Sequence, residues 1–217
     1  AIRDIFYPPR CLVCGRYAEF RPFLCRDCLY SFIYHMESPG AFDPETTPFI
    51  KEVVSFLLFN KSIKDLVHAL KYKNMPWVGE FMGEWMGIFI QNKFDNPLII
   101  PVPLHKVKKR ERGYNQSERI AAGLVKVTNW EMDEEILLRT IYTQTQTKMN
   151  KEERMENMES VFICSPREDK ERTILLLDDI YTTGSTVISA AKILSEAGYV
   201  DIRVVTVATP LFMGDQS

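Results

Sequence analysis

At 217 residues the chain can form one medium domain with a small appendage, and 46% apolar with 26% charged residues is an ordinary globular balance. A formal net charge of -2 excludes a surface that is basic throughout, so contact with nucleic acid would need a local patch. The longest apolar runs, Val53 to Phe59 and Trp85 to Ile90, are far shorter than the ~20 residues that span a bilayer.

The N-terminus shows no apolar stretch followed by a small-residue cleavage site, so the expected location is the cytoplasm. Residues 1–36 are rich in Cys, Arg and aromatics and lack a long periodic element, as in a small metal-stapled module. Cys11-x-x-Cys14 and Cys25-x-x-Cys28 are separated by ten residues. Each pair can present two thiolates to one ion, and four sulfurs complete tetrahedral Zn²⁺ with no position left for water, which describes a structural site. Disulfides and redox thiols are the competing readings. Cys164 stands apart and reads as a buried apolar residue. Arg3, Arg10, Arg16, Arg21 and Arg26, with Tyr17, Phe20 and Phe23, would suit phosphate contact and base stacking on single-stranded DNA.

Residues 37–50 carry Pro39, Gly40, Pro44 and Pro48 and read as a linker, after which 51–217 form the main domain. Val53 to Phe59 is β-prone. Ser62 is the expected cap of a helix through Leu66, Ala69 and Leu70. From Pro76 to Gln91, Phe81, Met82, Trp85, Met86, Phe89 and Ile90 recur on one helical face. Gly79, Gly83 and Gly87 recur four apart and predict close packing against a neighbour; the surrounding polarity excludes a membrane dimer motif. Leu98 to Val102 is a short buried strand. A basic loop follows, with His105, Lys106, Lys108, Lys109, Arg110 and Arg112 before Gly113, and it is open to readings as solvated surface, nucleic-acid patch or anion site. A helix opens near Asn115 and carries Ile120, Ala121, Leu124 and Val125, and Glu134 to Arg139 is a further short strand. Gln144 to Asn157 is polar and is expected to be a mobile loop.

Thr173 to Leu177 is a continuous apolar strand of the kind buried on both faces of a parallel sheet. Val187, Ala190, Ala191, Leu194 and Ala197 share a helical face that Gly198 ends, and Ile202 to Val207 is the next strand. Strand, helix, strand in this order is a βαβ unit, so the fold class is α/β with a parallel sheet. Asp178 and Asp179 then fall at the carboxyl edge of that sheet, where open α/β sheets bind ligands. Thr182, Thr183, Gly184, Ser185 and Thr186 lead into the helix; hydroxyls, a glycine and a helix N-terminus together make an anion site. Two carboxylates disfavour a bare phosphate, so the ligand should also bring hydroxyl donors or a cation, as a sugar phosphate with Mg²⁺ does. A plain strand-to-helix turn with a Thr-rich cap is the competing reading. A nucleotide-hydrolase site would need a Gly-x-x-x-x-Gly-Lys-[Ser/Thr] loop, and the chain has none.

The run Leu175-Leu176-Leu177-Asp178-Asp179-Ile180-Tyr181-Thr182-Thr183-Gly184-Ser185-Thr186 resembles the phosphoribosyl pyrophosphate (PRPP) signature of type I phosphoribosyltransferases. More narrowly, the chain resembles the ComF family of competence-associated proteins. His68 to Lys73, Pro101 to Leu104 with Arg112 to Gln116, and Gln146-Thr147 through Arg154, Asn157 and Phe162 match in order, as do the Cys pairs. Departures are conservative: Met149 replaces a usual leucine and Val161 a usual alanine. The resemblance implies a phosphoribosyltransferase fold with a zinc module, and catalysis by Asp178, Asp179, Arg112, Gln146 and Arg154. It assigns Thr182 to Thr186 to the 5′-phosphate, with Lys106, Gly113, Asn115, Gln116 and Asn157 as further binding residues. Gln146, Arg154 and Asn157 would belong to a lid. Mg²⁺ with PRPP, an unidentified acceptor, single-stranded DNA and proteins of the competence machinery are the implied partners, with no membrane insertion.

Overall fold

The computed structural model describes residues 8–19, 21, 23–139 and 161–211. Its centre is a six-stranded sheet built from β1 (Tyr34–Glu37), β2 (Ile50–Leu58), β3 (Leu98–Pro101), β4 (Glu131–Met132), β7 (Ile174–Ile180) and β8 (Ile202–Thr209), in the spatial order β1-β2-β8-β7-β3-β4. All neighbours are parallel except the edge strand β1, which runs antiparallel to β2. A separate antiparallel ribbon pairs β5 (Leu137–Arg139) with β6 (Phe162–Cys164). The α/β class expected from the βαβ unit is the one observed, with flanking helices on both faces.

Topology locates the ligand crevice. From β7 the chain passes through α6 (Ser185–Glu196) to β8 on one side. From β3 it passes through α4 (Lys106–Arg112) and α5 (Gln116–Thr128) to β4 on the other. The strand order therefore reverses between β3 and β7, and such switch points leave an open crevice at the carboxyl ends of the strands. The register is continuous there, from Leu98 opposite Ile174 to Pro101 opposite Leu177.

Strand β7 is apolar because both its faces are covered. Leu175 and Leu177 join the core beneath α2 (Lys61–Tyr72), α3 (Pro76–Ile90) and α5, while Ile174 and Leu176 join the core beneath α6. Helix α3 starts with Pro76 in its first turn, where a missing N–H costs nothing. Its glycine stripe meets α5 backbone to backbone. A Cβ on Gly83 would collide with the Ile120 carbonyl, and one on Gly123 would collide with the Glu80 carbonyl. The neighbour anticipated for the Gly79, Gly83 and Gly87 stripe is thus α5.

Some expectations change. Asn60, not Ser62, caps α2, its side chain accepting from Ile63 N at 3.0 Å. Ser62 lies inside the helix, hydrogen-bonded to Ser31 through a 3.1 Å hydroxyl contact. The basic loop after Val102 is instead helix α4, capped by His105 Nδ1 and closed by left-handed Gly113. Cys164 is only partly buried. Tyr34–Glu37, which straddles the expected boundary between module and linker, forms the sheet edge. The Cys-rich segment contains a short helix α1 (Arg26–Tyr30), and its Phe23 packs edge-on to Phe81 of α3 at 5.5 Å. Among the described residues no helix is long and apolar enough to cross a membrane.

Candidate functional site

Asp178 and Asp179 are the fifth and sixth residues of β7, both almost fully buried. Asp178 Oδ1 accepts from Ser117 Oγ at 2.9 Å and from the Asp179 N–H at 2.8 Å. Burial, then the neighbouring Asp179 charge, pushes the Asp178 carboxyl up to about 7. Asp179 is paired through Oδ2 with the Lys71 ammonium at the end of α2. The two carboxylates therefore differ in setting: Asp179 is paired with Lys71, while Asp178 has no cation of its own and is the one whose carboxyl is pushed up.

The loop beyond β7 is a set of open donors. Thr182, Thr183 and Gly184 make no backbone N–H hydrogen bond among the described residues, and α6 begins without a side-chain cap. Gly184 holds φ +76°, a left-handed conformation that strains other residues, and a Cβ there would strike the Tyr181 hydroxyl. Thr183 and Ser185 link their hydroxyls at 2.8 Å. Successive free N–H groups at a helix N-terminus form a concavity suited to an anion.

A cavity of about 270 Å³ opens beside this loop, lined by Lys71, Gln116, Arg139, Asp178, Thr182 and Thr186 among others. Of the residues singled out from sequence, Asp178, Asp179, Thr182, Thr186 and Gln116 border it directly. Arg112 reaches it through Gln116, to which its guanidinium donates. Asn115 is fully buried and works as a brace. Its Oδ1 caps α5 by accepting from Ser117 N at 3.1 Å, and its Nδ2 donates to the Val102 carbonyl at 2.9 Å. Gly113 turns the chain between the two helices with φ +83°, and Lys106 is exposed on α4 away from the cavity lining. Gln146, Arg154 and Asn157 lie outside the described residues.

Three further groups line or support the cavity, and two of them, Ser117 and Arg139, were not picked out from sequence. Lys71, within the His68 to Lys73 motif, has a side chain only 23% exposed and paired with Asp179. Ser117 and Arg139 carried no signal beyond Ser117 following the Asn115-Gln116 pair. Arg139 comes from β5, with its guanidinium 5.4 Å from the Phe162 ring centre.

The four N-terminal cysteines converge, their Sγ atoms all within 4.8 Å of one another. Cys14 and Cys25 are 3.6 Å apart, too far for a disulfide and close to the ~3.8 Å edge of a tetrahedron with ~2.3 Å zinc–sulfur bonds. The donor set therefore fits a zinc ion. A hydrogen bond with Arg16 lowers the Cys14 thiol to about 6, while burial raises those of Cys25 and Cys28. Of the basic and aromatic residues considered for DNA contact, Arg10, Arg16, Tyr17, Arg21 and Arg26 are exposed, Arg16 paired with Asp27 and Arg21 with Glu84. Phe23 is buried in the core and cannot stack on a base, which corrects that part of the expectation. Arg3 and Phe20 lie outside the described residues.

Fold and site together define an α/β protein with a cysteine-held module and an acidic pair facing an anion-type loop at a sheet switch point. No protein-family model matches the chain. It is 25% identical over 204 residues to Competence protein F of Haemophilus influenzae, covering 90% of this chain and 82% of that protein. It is 26% identical over 190 residues to Competence protein ComFC of Bacillus subtilis (87% and 72% covered). It is also 25% identical over 205 residues to DNA utilization protein YhgH of Escherichia coli O6:H1 (89% and 87%). The likeness to each of these proteins extends over nearly all of the chain. Among solved structures it aligns with the allosteric regulatory enzyme of purine biosynthesis at TM-score 0.44 and 16% identity, over 59% of this chain and 26% of that one. The chain thus spans about a quarter of that enzyme's length.

Proposed function

We propose that the protein binds PRPP at the crevice between β3 and β7 and transfers its phosphoribosyl group to an acceptor. The observation that carries this is the meeting, in one cavity, of a buried carboxylate pair with a loop of free N–H groups. A sugar phosphate satisfies both halves: its hydroxyls donate to Asp178 and Asp179, and its 5′-phosphate accepts from the loop after Tyr181. The motif from Leu175 to Thr186 supports the assignment by its resemblance to the PRPP signature.

In this reading the attacking group belongs to the acceptor, so the chain supplies no nucleophile and works by orientation and electrostatics. Asp178 and Asp179 orient the ribose. Arg112, held by Gln116, and Lys71 provide positive charge toward the departing pyrophosphate, with Gly113 allowing the α4–α5 corner to turn and Lys106 adding charge at its rim. Gln146, Arg154 and Asn157 are the further residues that the resemblance assigns to the reaction. The oxygen-rich donor set suits Mg²⁺, which when bound would neutralise pyrophosphate charge. The cysteine module within residues 1–36 holds zinc as a structural ion and runs through β1 of the main sheet into the 37–50 linker and the domain of 51–217, and cysteines held outside disulfides accord with a cytoplasmic location.

That its relatives are a competence protein and a DNA utilization protein favours a role in DNA uptake or use, and exposed Arg10, Arg16, Tyr17, Arg21 and Arg26 offer single-stranded DNA a contact surface. Pyrophosphate release from PRPP, followed across a panel of bases, amines and oligonucleotides, tests the catalytic reading. Release that depends on Asp179 is expected. Tight PRPP binding with no release on any acceptor would instead assign the site to sensing.

A further inference from the structure

Tyr181 is 1% exposed, and its hydroxyl is buried with no hydrogen-bond partner among the described residues. Buried tyrosine hydroxyls normally find one, so an orphan at this position needs a cause. The residue is firmly held. Its N–H donates to the Ala208 carbonyl at 2.9 Å, and its own carbonyl accepts from Thr209 Oγ1 at 3.1 Å. Its hydroxyl end lies directly against Gly184, the left-handed residue of the loop.

The loop above has the complementary deficit, since the N–H groups of Thr182, Thr183 and Gly184 have no acceptor. Within one trans peptide plane the N–H and C=O point in opposite directions. A loop that turns N–H groups outward to an anion must therefore turn the matching carbonyls inward, toward its own floor. The Tyr181 hydroxyl lies at that floor, and Gly184 has the backbone freedom for its peptide to turn.

We infer that Tyr181 is a positioning residue for the loop. Its hydroxyl donates to the inward carbonyl of the Thr183–Gly184 peptide when the loop takes up the ligand's phosphate. This rests on the reading of the loop as a sugar-phosphate site. The hydrogen bond exists only in the bound arrangement, so the unpaired hydroxyl destabilises the free protein and favours the bound one. Cost to the free fold and benefit to the ligand come from the same atom.

Tyr181→Phe keeps the ring and removes only that hydroxyl. In the full-length protein, calorimetry with ribose 5-phosphate and with PRPP should show affinity falling roughly threefold to tenfold, the loss of one neutral hydrogen bond. Pyrophosphate, which lacks the 5′-phosphate, should bind the variant as it binds the parent. The thermal midpoint without ligand should hold or rise, because an orphan group has gone. A hydroxyl with an ordinary structural role would give the opposite pattern, a lower midpoint and unchanged ribose 5-phosphate affinity, and either result overturns the inference. If the parent protein binds neither sugar phosphate, the reading of the site falls and this inference with it. If the parent binds and the variant binds equally well, only the inference falls.

Discussion

Asp178→Asn should make the protein more stable while disabling its site. Asp178 is buried, shares its surroundings with Asp179, and has its carboxyl raised from 3.8 to about 7. Between those values the native state holds a proton that the unfolded state has lost. Stability therefore falls as pH rises from about 4, and the loss is complete above about 7. At ~1.4 kcal/mol for each tenfold change, the full penalty is about 4 kcal/mol as an upper bound. Asparagine retains an oxygen to accept from Ser117 and the Asp179 N–H, and Asp178 borders the cavity, where water can meet the new amide. A net gain of about 2–4 kcal/mol is expected at pH 8, seen as a midpoint higher by roughly 5–10 °C, and almost none at pH 4. Thermal and urea unfolding of both proteins at pH 4, 6 and 8, at fixed zinc, would measure it. A variant less stable than the parent at pH 8, or one that keeps the parent's decline between pH 4 and 7, would refute the reasoning. By the same linkage, a ligand that needs Asp178 ionised should bind the parent more weakly below pH 7, by up to about tenfold per pH unit.

The other expectations concern the frame. Gly83→Ala drives a methyl into the Ile120 carbonyl and should cost about 1–3 kcal/mol, read by urea unfolding; an unchanged midpoint would mean that α3 and α5 do not meet backbone to backbone. Lys71→Met leaves Asp179 buried without its cation, so stability should fall by about 1–3 kcal/mol, read by urea unfolding; an unchanged midpoint would contradict the pairing. Zinc should be released at one ion per four cysteines on acid or thiol modification, and a strong chelator should lower the thermal midpoint; absence of bound zinc in protein purified without chelator would remove the structural-site assignment.

How far the sequence spoke for the structure depended on distance along the chain. Strand β7, its loop and α6 form one local unit in which apolar run, turn residues and helical period agree, and they were legible together. The glycine stripe of α3 was also legible, because spacing by four puts small residues on one face whatever the partner. The Cys pairs announced themselves by spacing. Helix α4 was missed because Lys106 to Arg112 has no apolar period, although lysine, arginine and glutamate are good helix formers. Asn60 and Ser62 are both good caps, and nothing local decided between them. Lys71 against Asp179 and Ser117 against Asp178 are contacts between distant segments, set by how α2 and α5 end over the sheet. No spacing rule could have supplied them. The short edge strand β1 arises from pairing with β2 through a shifted register rather than from strong β propensity of its own.

The central claim is that the crevice between β3 and β7 is a PRPP site. Titration calorimetry of the zinc-loaded protein with PRPP, with and without Mg²⁺ at pH 8, tests it most directly. The account predicts saturable one-site binding that weakens sharply without Mg²⁺ and is lost when Asp178 and Asp179 are both changed to Asn, with the fold intact by circular dichroism. No PRPP binding by the parent protein, or binding that the double variant retains, would contradict it.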